Sequence, residues 1–127
     1  MTRSHIIAVD APAAVGPYSH AMTAGEVVFL SGQTPIVPAT GALVEGDVTA
    51  QARQVFANLG AVLAAAGLGF ADAVKVNVFL TDMDDFAAMN AVYETVFPQP
   101  FPARTTVAVA GLPLGARIEI ELTALRR

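Results

Sequence analysis

The chain has 127 residues, 7 Lys plus Arg against 11 Asp plus Glu for a formal charge of −4, and no cysteine. That length fits one domain, residues 1–127. The missing cysteines exclude disulfides, thiolate metal sites and a thiol nucleophile, and make a reducing compartment the default expectation. Apart from Arg126-Arg127 the cations are scattered, so the clustered Lys and Arg of a nucleic-acid binder are missing and no nucleic-acid partner is expected. The longest uncharged apolar stretch, Gly60 to Ala71, is shorter than the roughly 18 residues that span a bilayer, so no membrane partner is expected. The apolar run Ile6 to Val9 is too short for the core of a secretory leader, and a cytoplasmic location is expected.

In chain order, Ser4 to Val9 reads as a short first strand. Pro12 and Gly16-Pro17 mark Asp10 to Tyr18 as a loop with stiffened turns. Glu26 to Ser31 is a second strand whose centre, Val27 to Leu30, is apolar without alternation, as in a strand covered on both faces. Pro35, Pro38, Gly41 and Gly46 make Gln33 to Gly46 a long loop. From Asp47 the period changes: Val48, Ala52, Val55, Phe56, Leu59, Val62, Leu63 and Ala66 trace one face of a helix, with Asp47 as cap and Gly67 as stop. Ala73 to Leu80 alternates as a strand. A second helix starts at Asp84 or Asp85, with Phe86, Met89, Val92, Tyr93, Val96 and Phe97 as its apolar stripe, and ends at Pro98.

Arg104 to Ala110 and Ala116 to Ala124 read as two final strands about Gly111 to Gly115. The order strand, strand, helix, strand, helix, strand, strand indicates one α+β sheet with two helices on one face. Val107 and Val109 are expected to point at the helices, with Ile118, Ile120 and Leu122 beside them; if the last two strands form a hairpin about Pro113-Leu114, Thr106 lies near opposite Glu121. Arg104, Thr106, Ala108, Arg117, Glu119 and Glu121 then share the opposite face. Small and ionisable residues there, beside a doubly apolar strand, suggest that a partner subunit covers that face.

Several residues on this frame can carry chemistry. Arg104 can grip a carboxylate with two parallel hydrogen bonds, or serve as an ordinary ion-pair residue. Glu119 and Glu121 stand two apart on a strand, so both point to one face. A carboxylate near Arg104 can orient or activate water, or simply pair with it across strands. Tyr18 in its stiff loop offers a hydroxyl and an aromatic wall. Ser31 and Gly32 end a buried strand where a ligand can approach the backbone. Asn90 lies in mid-helix, where asparagine gains little from the backbone. His5 and His20 have no partners at metal-ligand spacing, and Asp82, Asp84 and Asp85 read as a helix-start cluster. No metal site, Walker motif or serine nucleophile elbow occurs.

Taken together, several stretches resemble one family. They are Ala11-Pro-Ala-Ala-Val-Gly-Pro-Tyr-Ser19, Phe29-Leu-Ser-Gly-Gln33, Gln51-Ala-Arg-Gln54 with Asn58-Leu59, Val74-Lys75 through Asp85-Phe86 with Asn90, Phe101-Pro-Ala-Arg-Thr105, Leu112-Pro113 and Ile118-Glu-Ile-Glu121. In this order they cover essentially the whole chain and resemble the RidA (YjgF-type) reactive-intermediate deaminases. The resemblance implies a chorismate-mutase-like single domain with a mixed sheet, and a homotrimer whose sheets form a central barrel with pockets at the subunit interfaces. It implies that Arg104 binds the substrate carboxylate and Glu119 helps water attack, with Tyr18, Ser31, Gly32, Asn90, Thr105 and Thr106 around the substrate. It implies hydrolysis of enamines and imines such as 2-aminoacrylate to 2-keto acids and ammonia, with no cofactor and no metal. The deaminating branch of the family commonly has cysteine two residues after the arginine; here Thr106 stands there, and no thiolate is available. Other expectations of the same architecture are a non-catalytic protein that binds a keto acid or related anion, a ribonuclease, and, by fold analogy alone, a chorismate mutase.

Overall fold

A computed structural model describes residues 2–127. Its strands are β1 (Arg3–Ile6), β2 (Ala21–Ala24), β3 (Val27–Gln33), β4 (Ala73–Leu80), β5 (Ala103–Ala108) and β6 (Ile118–Leu125), and its helices are α1 (Val48–Ala65) and α2 (Phe86–Val96). The strands form one mixed sheet in the order β1-β2-β3-β6-β4-β5. Both helices lie on one face of it, so the α+β architecture expected from the pattern is the one observed.

The helix signals act as their chemistry predicts. The Asp47 carboxylate accepts from the Ala50 N–H at 3.1 Å, which satisfies one of the orphan donors of α1. Gly67 adopts φ +76°, and the Leu68 N–H returns to the Leu63 carbonyl at 2.8 Å, closing the helix. Val55, Leu59, Val62 and Leu63 on α1 and Met89 on α2 are fully enclosed against Val28, Val76, Val78, Leu80, Ile118 and Ile120 of the sheet. Each such side chain contributes about 1.5–3 kcal/mol by leaving water. Where the helices meet, Phe56, Phe70 and Phe97 pack edge to face with centroids 5.3–6.1 Å apart. Tyr93 joins them, 4.5 Å from Phe97, so the core fixes the position of Tyr93.

One strand escaped the pattern. β2, Ala-Met-Thr-Ala, has little intrinsic β preference and sits inside a tight hairpin with β3. The two-residue turn is Gly25-Glu26, with Gly25 at φ +60°, the conformation such a turn requires of its first residue. β1 stops at Ile6 instead of Val9 because the chain turns into the Ala8 to Tyr18 loop.

The arrangement of the last two strands differs from the expected hairpin. β5 pairs with β4 in parallel, Val76 beside Arg104 and Val78 beside Thr106. β6 pairs antiparallel with the other edge of β4, Phe79 beside Glu119 and Asn77 beside Glu121, and then with β3. The strand-helix-strand unit β4-α2-β5 brings the chain back in the same direction, which a parallel neighbour requires. The next segment then crosses β4 to reach β6. This reverses the facing of β5: Arg104 and Thr106 lie on the helix side with Val76 and Val78, and Val107 faces away, 41% exposed. Glu119 and Glu121 keep the expected face, opposite Ile118, Ile120 and Leu122. Arg117, expected beside them, instead donates to Asp85 at 2.7 Å, just before α2.

β3 also departs from the uniform strand. Leu30 pairs with Leu122 but Gln33 with Ile120, so Ser31 and Gly32 together oppose Glu121. That extra residue is a β-bulge, a device that re-aims side chains beside functional sites. Val28 and Leu30 are buried, while Phe29 on the other face is 50% exposed. Within one chain, then, β3 is covered on one face only.

Candidate active site

The candidate residues form two groups on opposite faces of the sheet. The first is built around Arg104. Phe86, Asn90 and Tyr93 stand at helical steps of four and three on α2, on one face above β5. Arg104 Nη1 donates to Asn90 Oδ1 at 2.7 Å. Its guanidinium carbon lies 4.6 Å from the Tyr93 ring centre and 5.5 Å from that of Phe86. Both rings present their negative faces to the cation. Asn90, Tyr93, Glu94, Phe101, Pro102 and Arg104 line a hollow of about 360 Å³. Among the described residues no carboxylate lies in ion-pair range of Arg104; the two ion pairs present are Arg117–Asp85 and Arg127–Asp72. The guanidinium is therefore oriented by neutral groups and retains donors for an anion. Tyr93 is buried, and its hydroxyl has no partner among the described residues. Burial pushes its phenol up, and the Arg104 charge opposes that.

The second group lines a cleft of about 540 Å³ on the open face, where Tyr18, Ser31, Gly32, Glu119 and Glu121 meet. Gly32 leaves open the space that Glu119 occupies: a Cβ at that position would stand 3.0 Å from Glu119 Cδ, with a carboxylate oxygen closer still, so the end of that side chain would have to move. The glutamate thus lies directly on the bulge backbone. Ser31 Oγ donates to the Ser19 carbonyl at 2.7 Å, tying the bulge to the N-terminal loop. The Tyr18 hydroxyl accepts from the Val15 N–H at 3.3 Å.

The two glutamates, which spacing could not distinguish, have different surroundings. Glu121 Oε2 accepts from Asn77 Nδ2 at 3.1 Å. The half-buried Glu119 carboxylate takes no hydrogen bond among the described residues. Its pKa is raised, first by burial and then by the negative charge of Glu121. A carboxylate with raised basicity and unused lone pairs suits proton abstraction from water.

The structure therefore gathers Tyr18, Ser31, Gly32 and Glu119 in one place, and Arg104 and Asn90 in another. Thr105 is on the open face, where its hydroxyl accepts from Lys75 Nζ at 2.8 Å. Thr106 is on the Arg104 side, its hydroxyl buried and unpartnered. The expected shared face for Arg104 and the two carboxylates is not formed within one chain, because β4 separates β5 from β6 and β5 has the reversed facing. Sequence reasoning treated Phe86 and Tyr93 as core alone; their spacing from Asn90 was the available signal. Nor did it foresee the role of His20, whose ring bonds both Ala8 and Pro12. Among the described residues no cluster of His, Cys, Asp or Glu could hold a metal ion.

The fold and site define a small α+β domain with a clamped arginine on one face of its sheet and a desolvated glutamate on the other. A family model described as Endoribonuclease L-PSP matches residues 8–126. The chain belongs to this family, the RidA (YjgF) group that its motifs resemble. It is 50% identical over 127 residues to protein DfrA of Myxococcus xanthus, covering 98% of this chain and 97% of that one. It is 50% identical over 121 residues to the 2-iminobutanoate/2-iminopropanoate deaminase of Salmonella typhimurium, covering 93% and 94%. The crystal structure of RidA from the Antarctic bacterium Psychrobacter sp. superposes with a TM-score of 0.92 at 47% identity, covering 96% of this chain and 98% of that one.

Proposed function

We infer that this protein hydrolyses small carboxylate-bearing enamines and imines, such as 2-aminoacrylate, to 2-keto acids and ammonia. The observation that carries this reading is Glu119: a half-buried carboxylate lining a cleft, raised in pKa and without a hydrogen-bond partner among the described residues. Arg104 grips the substrate carboxylate. The enamine tautomerises to the imine, and Glu119 accepts a proton as water oxygen bonds to the imine carbon. The product is a tetrahedral carbinolamine. Glu119 returns that proton to the nitrogen, which completes the amino group; the hydroxyl proton then moves by way of the same carboxylate onto that amino group, the carbon–nitrogen bond breaks, ammonia leaves and the hydroxyl oxygen becomes the keto oxygen. Ser31, Gly32 and Tyr18 shape the cleft, and Thr105 and Thr106 border the two sides of β5. No step calls for a metal or an organic cofactor.

Arg104 and Glu119 face opposite sides of one sheet, so a single chain cannot present both to one substrate. A homotrimer resolves this if the open face of one copy meets the β5 edge of the next, which places Glu119 of one subunit near Arg104 of another. Exposed Phe29 and Val107 give that face apolar area to bury. The resemblance to the RidA group supports the same assembly, a cytoplasmic location and action without nucleic acid or membrane. A ribonuclease using two histidines fits poorly, since His20 is buried with both ring nitrogens engaged.

The test follows 2-keto acid release from freshly generated 2-aminoacrylate. Turnover above the buffer rate is expected. Keto-acid binding without turnover would instead make the protein a non-catalytic anion binder.

A further inference from the structure

The loop from Ala8 to Tyr18 supplies Pro12, Val15 and Tyr18 to the wall of the larger cleft. Among the described residues, no backbone hydrogen bond joins residues 9–17 to a strand; Ala11 N–H to Ala8 O and Tyr18 N–H to Gly16 O are both local. The loop is tied to the sheet through the side chain of His20, which stands just before β2 and is 3% exposed. The Ala8 N–H lies 2.9 Å from Nδ1, and the Pro12 carbonyl lies 2.7 Å from Nε2. An amide N–H can only donate and a carbonyl can only accept. Nδ1 must therefore be the bare acceptor, and Nε2 must carry the proton. Two backbone groups thus specify one neutral tautomer.

The ring is itself well anchored. The His20 carbonyl accepts from the Ser31 N–H at 3.0 Å, and Ser31 Oγ holds the Ser19 carbonyl at 2.7 Å. Ala8 and Ala11, at the two ends of the first loop turn, are buried in the hydrophobic core. The imidazole therefore links the loop to the bulge that supports Glu119.

We propose that His20 is a positioning residue for the deaminase site: as the Nε2–H tautomer it holds the Ala8 to Tyr18 loop so that Pro12 and Tyr18 form the cleft wall before substrate arrives. This rests on the deaminase reading of the cleft. A wall ordered in advance spares the substrate the entropy of ordering it, so the effect belongs mainly in KM.

The test compares His20→Gln, which offers an acceptor oxygen and a donor nitrogen at similar separation, with His20→Leu, which offers neither. Long-range proton–nitrogen NMR of the wild type should show a bare Nδ1 at neutral pH; a proton on Nδ1 would overturn the proposal. In His20→Leu, exchange of the Ala8 amide should quicken roughly tenfold or more relative to the α1 amides, and KM should rise by about tenfold with kcat nearly unchanged. His20→Gln should restore most of both. A leucine variant that loses stability uniformly, with unchanged KM, would reduce His20 to a packing residue. If the leucine variant does not fold, the wild-type tautomer and the glutamine variant decide. If the wild type turns over no imine, the functional reading fails, while the tautomer and amide exchange still judge the clamp.

Discussion

Arg104 combines a full charge with an orientation set by neutral partners, Asn90 and the Tyr93 and Phe86 rings. Charge-assisted hydrogen bonds contribute about 1.5–3 kcal/mol each. Arg104→Ala should therefore weaken binding of an inert 2-keto acid by roughly 10-fold to 100-fold and abolish turnover. Arg104→Lys should recover little, because an ammonium cannot make the planar two-pronged contact. Calorimetric titration checks the first statement; wild-type turnover in the lysine variant would remove Arg104 as the anchor.

Glu119→Gln should lower turnover by roughly 100-fold to 10,000-fold if the carboxylate is the base, with keto-acid binding little changed. Glu121→Gln should be milder, since that carboxylate is already engaged by Asn77. The raised pKa has two consequences of opposite sense. On the proposed mechanism activity needs the ionised form, so it should fall on acidification at a higher pH than an ordinary glutamate would give. Stability responds the other way: above the folded pKa the buried charge is penalised, and the penalty disappears on protonation. Glu119→Gln should thus melt at or above the wild-type temperature near neutral pH, even as turnover collapses. A variant that was both inactive and clearly less stable would point to a structural glutamate.

Gly32→Ala tests the same carboxylate from below. The added methyl would occupy the place where Glu119 now lies. Turnover should fall by about tenfold or more while binding at Arg104 persists, because only the proposed water-activating group moves. An active Gly32→Ala protein would show that Glu119 need not rest on the bulge.

Asn58 shows how one element disciplines another. It is buried in α1, and its amide donates to the carbonyls of Thr34 and Ile36 at 3.1 and 2.9 Å while its oxygen accepts from Gln54 at 3.0 Å. The Gln33 to Gly46 loop, closed on itself by Val37 N–H to the Ala42 carbonyl and Val44 N–H to the Pro35 carbonyl, is thereby fastened to the helix. Asn58→Leu would leave two carbonyls without these partners, at about 1–3 kcal/mol for each that stays buried. Denaturant unfolding should show a loss of roughly 2–4 kcal/mol; a change under 0.5 kcal/mol, about that of a surface substitution, would show that the loop finds other partners. In the sequence, Asn58 was one letter of a family motif. Its work became visible only when the loop was seen folded back over α1.

At the scale of the whole molecule, the sheet has one face packed by helices and one face bare. Phe29, Val74, Val107 and Leu125 are each more than two-fifths exposed, on a chain otherwise well packed. Light scattering at micromolar concentration should report a trimer. Phe29→Arg on the open face should yield a smaller species with markedly lower turnover and intact helical circular dichroism, because the half-sites are separated while the helix-side core is untouched. A stable, fully active monomer would sink both the assembly and the shared pocket.

The sequence by itself determined the parts governed by short periods. Helix α1 from Asp47 to Gly67, the stripe of α2, the alternation of β4 and β6 and the one-sided helix layer are each written in residues a few positions apart. Order and facing across the sheet were decided only in the tertiary structure. β5, Ala-Arg-Thr-Thr-Val-Ala, has a single large apolar side chain, so its alternation carries little bias toward either face. Its facing is set by parallel pairing with β4, through a helix between them, rather than by its own residues. β2 likewise forms because β3 folds back on it at Gly25. The residues proposed to carry the site could be named from their motifs. Their division into two half-sites could not, because whether Arg104 and Glu119 share a face depends on β4 lying between their strands. That is a long-range pairing to which no local pattern is sensitive.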